Sequence, residues 1–599
     1  MKSFWGSFLG TLVGVFVTFL FIFFVVIGIV VASISKFSAQ SDNVIKVKQK
    51  SVLHITFDGP IPERSSKNPF ENFSFGNFEY QPLSLGLNDI LSNIEKAKDD
   101  PNISGIYLDI SSIPAGIATL EEIRNALLDF KESPNGQAKK FVVAYSEGYA
   151  QGAYYLATVA DTIYLNPEGM VDFKGLSTQM MFFKKLLDKL EVDVQIFRHG
   201  KFKSATEPYF LDKMSPASRE QVLTYLHSIW NYTLEGIAKQ RNISIEELNR
   251  YADNMLINNS ESSLRYKLVD RLVYKDEMLE VLAQLTGQKS DKINYVDMHK
   301  YTHAPQLKKE PYTKNKIAVI YATGEINGGD GDDKTIGSEG ISKAIREARL
   351  DENVKAIVLR VNSPGGGVVP SDVIWREMKL AKKEKPVVVS MGDVAASGGY
   401  YIACDADAIV AHPNTITGSI GVFGVFPNVQ GLFANKFGIT VDTAKTNQHS
   451  DFGNPYRALG KDEGAVVQKW IEDVYQDFIG KVADGRHMTK DEIDSIGQGR
   501  VWSGVDGKRI GLVDKFGGIK DAIALAAEKA KLKQYKILEL PKQKDAFEEI
   551  MKNAFDGEVM MEKKLRAEFG DTYQNYKNLQ SVLKYKGVQA RLPYDIVIY

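Results

Sequence analysis

Between positions 8 and 32 the chain runs for 25 residues without a charge. At ~1.5 Å per residue, a helix of that length crosses a ~30 Å hydrocarbon core with room to tilt. The run exceeds the roughly 7–15 apolar residues of a cleavable signal peptide, so an uncleaved N-terminal transmembrane helix is expected over about 8–32, within an anchor of 1–43. Lys2 lies on one side of it and Lys36, Lys46, Lys48 and Lys50 on the other, which leaves the orientation open. No later stretch is apolar enough to span, so the body from about Val44 is expected to be water-soluble.

In that body the pattern changes to short β-branched runs separated by helical spacing. IAVIYA at 317–322, AIVLRVN at 356–362 and PVVVSM at 386–391 read as buried strands, and their alternation with helices predicts parallel α/β layers. Val222, Leu223, Leu226, Ile229, Trp230, Leu234 and Ile237 recur at helical spacing behind Ser215-Pro216, a helix start signal. Ser244 with Glu247 and Thr489 with Glu492 have capping-box spacing.

The body also repeats itself. SEGYAQGAYYLATVADTIYLNP at 146–167 lies over MGDVAASGGYYIACDADAIVAHP at 391–413, with Tyr154 on Tyr400 and Pro167 on Pro413. LVDR from Leu268 echoes LVDK from Leu512, and SVLHITFDGPI from Ser51 echoes KIAVIYATGEI from Lys316. Three echoes in one order predict a tandem duplication: one half over 44–310, a second over 311–545, and a charged extension over 546–599. That extension ends in the strand-like LPYDIVIY and reads as a brace on the core.

Composition narrows the function. The 74 Lys+Arg and 75 Asp+Glu nearly cancel, for a formal charge of −1, so the electrostatic footprint of a nucleic-acid binder is missing. The single cysteine, Cys404, excludes an intramolecular disulfide framework and a Cys-only zinc cage. No metal or cofactor is expected. DGDD at 330–333 fails as a calcium loop because Glu339 is its tenth residue rather than its twelfth, and GSIGVFG at 418–424 departs from the dinucleotide fingerprint.

Candidate chemistry emerges where the two halves differ. Ser397 sits at a strand-to-helix turn between Ala396 and the pair Gly398-Gly399, where small neighbours allow a sharp turn and close approach of a carbonyl. The first half has Gln151 there. Asn362-Ser363-Pro364-Gly365-Gly366-Gly367 follows a strand and would expose backbone N–H groups suited to an oxyanion; the first half has SSIPAG at 111–116. On the residues alone each motif is also an ordinary turn. A nucleophilic serine needs a base. His412 looks like a strand-end surface residue and His449 sits in a polar loop, whereas a desolvated lysine is the alternative. Lys203 in HGKFKSATEP is suggestive, since the matching second-half stretch, AKTNQHSD, has Ser450.

MGDVAASGGYYIA, VNSPGGG, NTITGSIGVFG and KFKSATEP, in a duplicated chain behind one anchor, resemble the long bacterial form of the signal peptide peptidase A family. The resemblance implies two tandem Clp protease/crotonase-like domains and a membrane-anchored Ser/Lys-dyad endopeptidase that degrades cleaved signal peptides and other apolar peptides. It makes Ser397 the nucleophile, Lys203 the base and Ser419 the residue that orients the amine, with Gly365, Gly366 and Gly398 holding the oxyanion. It further implies a homotetrameric dome on the outer, periplasmic face of the cytoplasmic membrane. The segment 68–80, NPFENFSFGNFEY, has no counterpart in it. Two other readings remain: a crotonase-type acyl-CoA enzyme, whose paired N–H groups would hold a thioester enolate, and an inactive membrane scaffold.

Overall fold

Runs of β-branched residues alternating with amphipathic helices build two sheets with the same strand order. The computed structural model describes residues 10–11, 13–19, 21, 45–66, 73–74, 79–80, 84–132, 139–307, 312–543 and 588–592. In the first sheet the order is Arg271–Leu272, Thr162–Leu165, Phe141–Ser146, Ile103–Asp109, Ser51–Ile55, Tyr295–Asp297, all parallel. The second repeats it with Lys515–Phe516, Ala408–Ala411, Val387–Ala396, Val354–Ser363, Lys316–Thr323 and Lys536–Leu540. Matching side chains close matching gaps. The hydroxyl of Tyr154 donates to the Leu268 carbonyl at 2.8 Å and that of Tyr400 to Leu512 at 3.0 Å. Asp270 accepts from the Ile163 N–H and Asp514 from the Ile409 N–H.

One difference sets up the site. The strand Val387–Ala396 has ten residues where its first-half equivalent, Phe141–Ser146, has six. Val388–Ser390 pair with 408–410, and the extra length lets Val394–Ala396 pair separately with Ile416–Gly418. Residue 397 is thereby carried past the sheet's edge toward a third sheet.

That third sheet joins the halves. Its order is Thr335–Gly337, Glu325–Asn327, Gly365–Gly367, Val588–Arg591, Phe423–Asn428, Asp193–Arg198. The last two strands pair antiparallel over six residues each, Arg198 opposite Phe423, so the first half delivers the chain just before Lys203 into the second. The cores are shared as well. Ile519, Ala522, Ala526 and Ala527 of the helix Ile519–Lys529 pack in one cluster with Leu53, Ile106 and Val142 of the first sheet. Arg360, fully buried, reaches Glu63 at 2.8 Å and Glu122 at 2.7 Å across the junction.

Three expectations change. His412 is 3% exposed, with Nε2 3.7 Å from Glu122; it belongs to this junction rather than to the surface. The helix Pro216–Arg241 forms behind its Ser215 cap and buries Val222, Leu226, Ile229, Trp230, Leu234 and Ile237, but Leu223 faces solvent. Thr489 with Glu492 is a full capping box, while Ser244 makes only the half in which its side chain accepts from the Glu247 N–H.

Among the described residues no helix is long and apolar enough to cross a membrane. Of the expected helix over 8–32, residues 10–11, 13–19 and 21 are described and helical, and the rest lies outside the described residues. So does most of 68–80, apart from Phe73–Ser74 and Glu79–Tyr80, which pair antiparallel. Of 546–599 only 588–592 are described; the strand there, Val588–Arg591, precedes LPYDIVIY, of which only Leu592 is described.

The junction makes a stability prediction. Arg360→Met would leave the carboxyls of Glu63 and Glu122 buried without their cation, and should lower unfolding stability in denaturant by about 3–5 kcal/mol. Lys469→Ala, which breaks the exposed pair with Asp473, should leave the same transition almost unmoved.

Candidate active site

Ser397 follows the long strand directly and precedes the short helix Gly398–Ala403. Its backbone sits at φ 55°, ψ −115°, a region that costs a non-glycine residue on the order of 1–3 kcal/mol. The surroundings enforce it. The Ser397 N–H donates to the Gly418 carbonyl at 2.8 Å, and its carbonyl accepts from the Tyr401 N–H at 2.8 Å. The turn aims the hydroxyl away from its own strand, toward the first half.

There it meets Lys203. The amine nitrogen lies 2.8 Å from Ser397 Oγ, 3.0 Å from Ser419 Oγ and 3.1 Å from the Ser419 carbonyl oxygen. All three residues are 0% exposed, and the amine's three partners are neutral oxygens. Burial holds the amine well below its ordinary 10.5, because the charged form loses its water and gains no anion. A neutral amine has two N–H groups and one lone pair. With the N–H groups donated to the two Ser419 oxygens, the lone pair is left to accept from the Ser397 hydroxyl. Ser419 holds this position with φ 51° and with its own N–H bonded to the Arg500 carbonyl at 2.6 Å.

The lysine stem is fixed by residues of both halves. A Cβ at Gly499 would come within 2.6 Å of the Lys203 Cβ, and one at Gly421 within 3.3 Å of its Cδ. Gln221, buried on the helix Pro216–Arg241, donates to the Phe202 carbonyl at 3.0 Å and accepts from the Val501 N–H at 3.1 Å, clamping the two segments that flank the amine. Sequence reasoning missed Gln221. Its signal was a polar residue one position before Val222, on the apolar stripe.

The glycines cluster beside the hydroxyl. Gly365 takes φ 103°, and a Cβ on it would lie 2.8 Å from the Gly398 nitrogen; a Cβ on Gly398 would lie 3.0 Å from the Gly366 nitrogen. Only residues without side chains let these backbones approach. Their amides are not equivalent, since the Gly365 N–H donates to Ser363 Oγ at 3.1 Å. Gly366 and Gly398 are therefore the two N–H donors available to an oxyanion, and Gly365 contributes its backbone angle.

The other candidates stand apart. His449 pairs with Asp462 and Glu463, and Ser450 bonds back to the Asn447 carbonyl. Gln151, the first-half counterpart of Ser397, spends its amide on local backbone: it donates to the Gly175 carbonyl and accepts from the N–H groups of Lys174 and Gly175. Among the described residues no group of His, Cys, Asp and Glu could hold a metal ion.

A family model described as "Peptidase family S49" matches twice, over 135–289 and 379–533; the first match contains Lys203, the second Ser397 and Ser419. "Protease 4" of Salmonella typhi is 40% identical over 81% of this chain and 79% of its own. "Serine protease SPPA, chloroplastic" of Arabidopsis thaliana is 31% identical over 91% of this chain and 78% of its own. Among solved structures, ClpP1 from Listeria monocytogenes aligns over 34% of this chain and 92% of its own, at 19% identity and a TM-score of 0.22.

A buried lysine with a lowered pKa also leaves a mark on stability. Between its depressed folded value and 10.5, the unfolded chain holds a proton on Lys203 that the folded chain does not, so this residue makes stability rise with pH across that window. Lys203→Met should therefore be more stable than the parent at pH 7, and the gap in denaturant midpoint should narrow as pH is raised toward 10.

Proposed function

The chain belongs to peptidase family S49 and is a serine protease; from that premise we propose that Ser397 is its nucleophile, Lys203 its general base, and cleaved signal peptides and other apolar peptides its substrates. As a protease it is neither an acyl-CoA enzyme nor an inactive scaffold. The observation that carries the dyad is the 2.8 Å contact between a fully buried amine without an anion and a hydroxyl on a strained turn.

The steps follow from the contacts. Lys203 accepts the hydroxyl proton as Ser397 Oγ attacks the peptide carbonyl. The N–H groups of Gly366 and Gly398 receive the developing oxyanion. The lysine ammonium, steadied by both Ser419 oxygens, then protonates the leaving amine, and water repeats the sequence on the ester. Apolar residues beside Ala396, among them Val222, Leu226, Ile229, Ile416 and Val501, support the preference for apolar peptides, each buried side chain contributing about 1.5–3 kcal/mol. On this reading each repeat is a variant of the Clp protease/crotonase fold. The charge-free run over 8–32 tethers the enzyme to the cytoplasmic membrane, with a homotetrameric body on the periplasmic face.

Ser397→Ala and Lys203→Arg should each reduce kcat for an apolar peptide by about 10⁴-fold or more, the second because a guanidinium stays protonated and cannot accept the proton. In the parent, kcat/KM should climb as pH rises through the depressed Lys203 value and then level off, since only the neutral amine is a base. Turnover by purified Ser397→Ala would overturn the nucleophile; an active Lys203→Arg would move the base to Lys201 or a histidine.

A further inference from the structure

The strand that ends at Ser397 slips in register before it gets there. Opposite it, Val354–Ser363 advances two positions, from Val361 to Ser363, while Val387–Ala396 advances four, from Met391 to Ala395. The surplus is a bulge at Gly392-Asp393-Val394, and a bulge re-aims the chain that follows it. Polar groups on the bulge have dedicated partners. The Gly392 carbonyl accepts from the Thr415 hydroxyl at 2.8 Å, and the Val394 N–H donates to Asn362 Oδ1 at 3.1 Å. Asn362 Nδ2 in turn donates to Glu63 of the first half at 2.8 Å.

Asp393 crosses to the first half as well. Its Oδ1 accepts from the Thr119 N–H at 2.9 Å and its Oδ2 from the Thr119 hydroxyl at 2.7 Å. Thr119 is the third residue of the helix Ile117–Lys131, whose N-cap residue, Gly116, makes no side-chain bond of its own. The carboxylate therefore supplies that cap from the other half. A Cβ on Gly116 would lie 2.1 Å from the carboxylate carbon, although the backbone there, at φ −70°, suits any residue; glycine is needed only to let Asp393 in. Ile117 of the same helix packs with Val394 of the bulge around Ala396, the residue before Ser397.

We propose that Asp393 is a positioning residue for the nucleophile: bonded to the start of the helix Ile117–Lys131, it fixes the bulge from which Val394–Ala396 leads the Ser397 hydroxyl to the Lys203 amine. This rests on the dyad proposed above. The first half then acts on both partners of the 2.8 Å contact, supplying Lys203 on its own chain and aiming Ser397 through Thr119. Among the described residues the Asp393 carboxylate bonds to Thr119 alone. Its loss should therefore change the aim of the hydroxyl while peptide binding and the surroundings of the amine stay as they are. A misplacement of ~1 Å costs on the order of 10²-fold in rate.

The test measures kcat, KM and the pH profile of kcat/KM on an apolar fluorogenic peptide, using the full-length parent and its variants. Asp393→Ala should lower kcat by about 10- to 100-fold with KM within about twofold, and the pH at which kcat/KM levels off should not move. Gly116→Ala, which evicts the carboxylate while leaving Asp393 and Thr119 in the chain, should do the same. Asp393→Asn should recover most of the loss, because its amide oxygen accepts the Thr119 N–H and its NH2 donates to the hydroxyl. A clasp that merely holds the halves together would behave differently: its loss would admit water to Lys203, favour the charged amine and shift the profile to higher pH. That shift in Asp393→Ala or Gly116→Ala overturns the inference, as does a parent-like kcat in Asp393→Ala or an Asp393→Asn no better than it. Should Asp393→Ala not fold, Thr119→Val, which deletes one of the two bonds, decides in its place by a lowered or a parent-like kcat. These outcomes leave the dyad standing while Ser397→Ala is inactive; hydrolysis by Ser397→Ala overturns the dyad and this inference with it.

Discussion

A lysine amine buried without an anion is the constraint on which the rest of this structure depends. An isolated ammonium taken out of water is unfavourable, and Lys203 has only neutral oxygens around it, so folding must hold the amine in a dry place that disfavours its charge. No single repeat provides that place. The stem passes Gly421 and Gly499 of the second half, Gln221 of the first half ties Phe202 to Val501, and the six-residue pairing of Asp193–Arg198 with Phe423–Asn428 brings the lysine across. The shared core and the Arg360 junction then serve the proposed dyad as well as stability, because any loosening between halves would admit water to the amine.

The two repeats keep one scaffold and diverge where it meets the third sheet. Tyr154 and Tyr400, and Asp270 and Asp514, perform the same closures in both. Gln151 is satisfied by its own loop, whereas Ser397 sits on a turn at φ 55° at the end of a strand four residues longer. The strain is local and its compensation is not: bonds to Gly418 and from Tyr401 hold the turn, and glycines at 365 and 398 leave room for it.

Much of this was legible in the sequence, and the gaps have physical causes. Strands at 317–322, 356–362 and 386–391 were readable because buried parallel strands are nearly continuous apolar runs, and the internal echoes predicted the duplication. Ser397 stood out through its small neighbours. Lys203 did not stand out on its residue type, since lysines are mostly solvated; the contrast with Ser450 in the other half made it suggestive, and the resemblance to a family pattern singled it out. Arg360 was visible as a charge in the middle of AIVLRVN, but its partners Glu63 and Glu122 lie hundreds of positions away and no periodicity links them. His412 was misjudged for the same reason, because its burial is created by the other half. The strand Val588–Arg591 escaped notice because four residues carry no period, and its partner is a glycine turn.

A dry lysine and a peptide-cutting site make opposite demands, since one excludes water and the other must open to a polar backbone. Strand addition reconciles them. A segment entering between Gly365–Gly367 and Phe423–Gly424 exchanges its hydration for ladder hydrogen bonds on both sides, as Val588–Arg591 does, and so brings no water with it. The Gly366 amide, one of the two that would receive an oxyanion, is then part of the same ladder that binds the chain, with Gly398 beside it at the head of its helix. With Ser397 as the proposed nucleophile, binding register and reaction centre coincide: a peptide one residue out of phase would present an N–H rather than a carbonyl to Gly366. Selection of the cleaved bond on this account comes first from backbone phase, and side-chain pockets refine it.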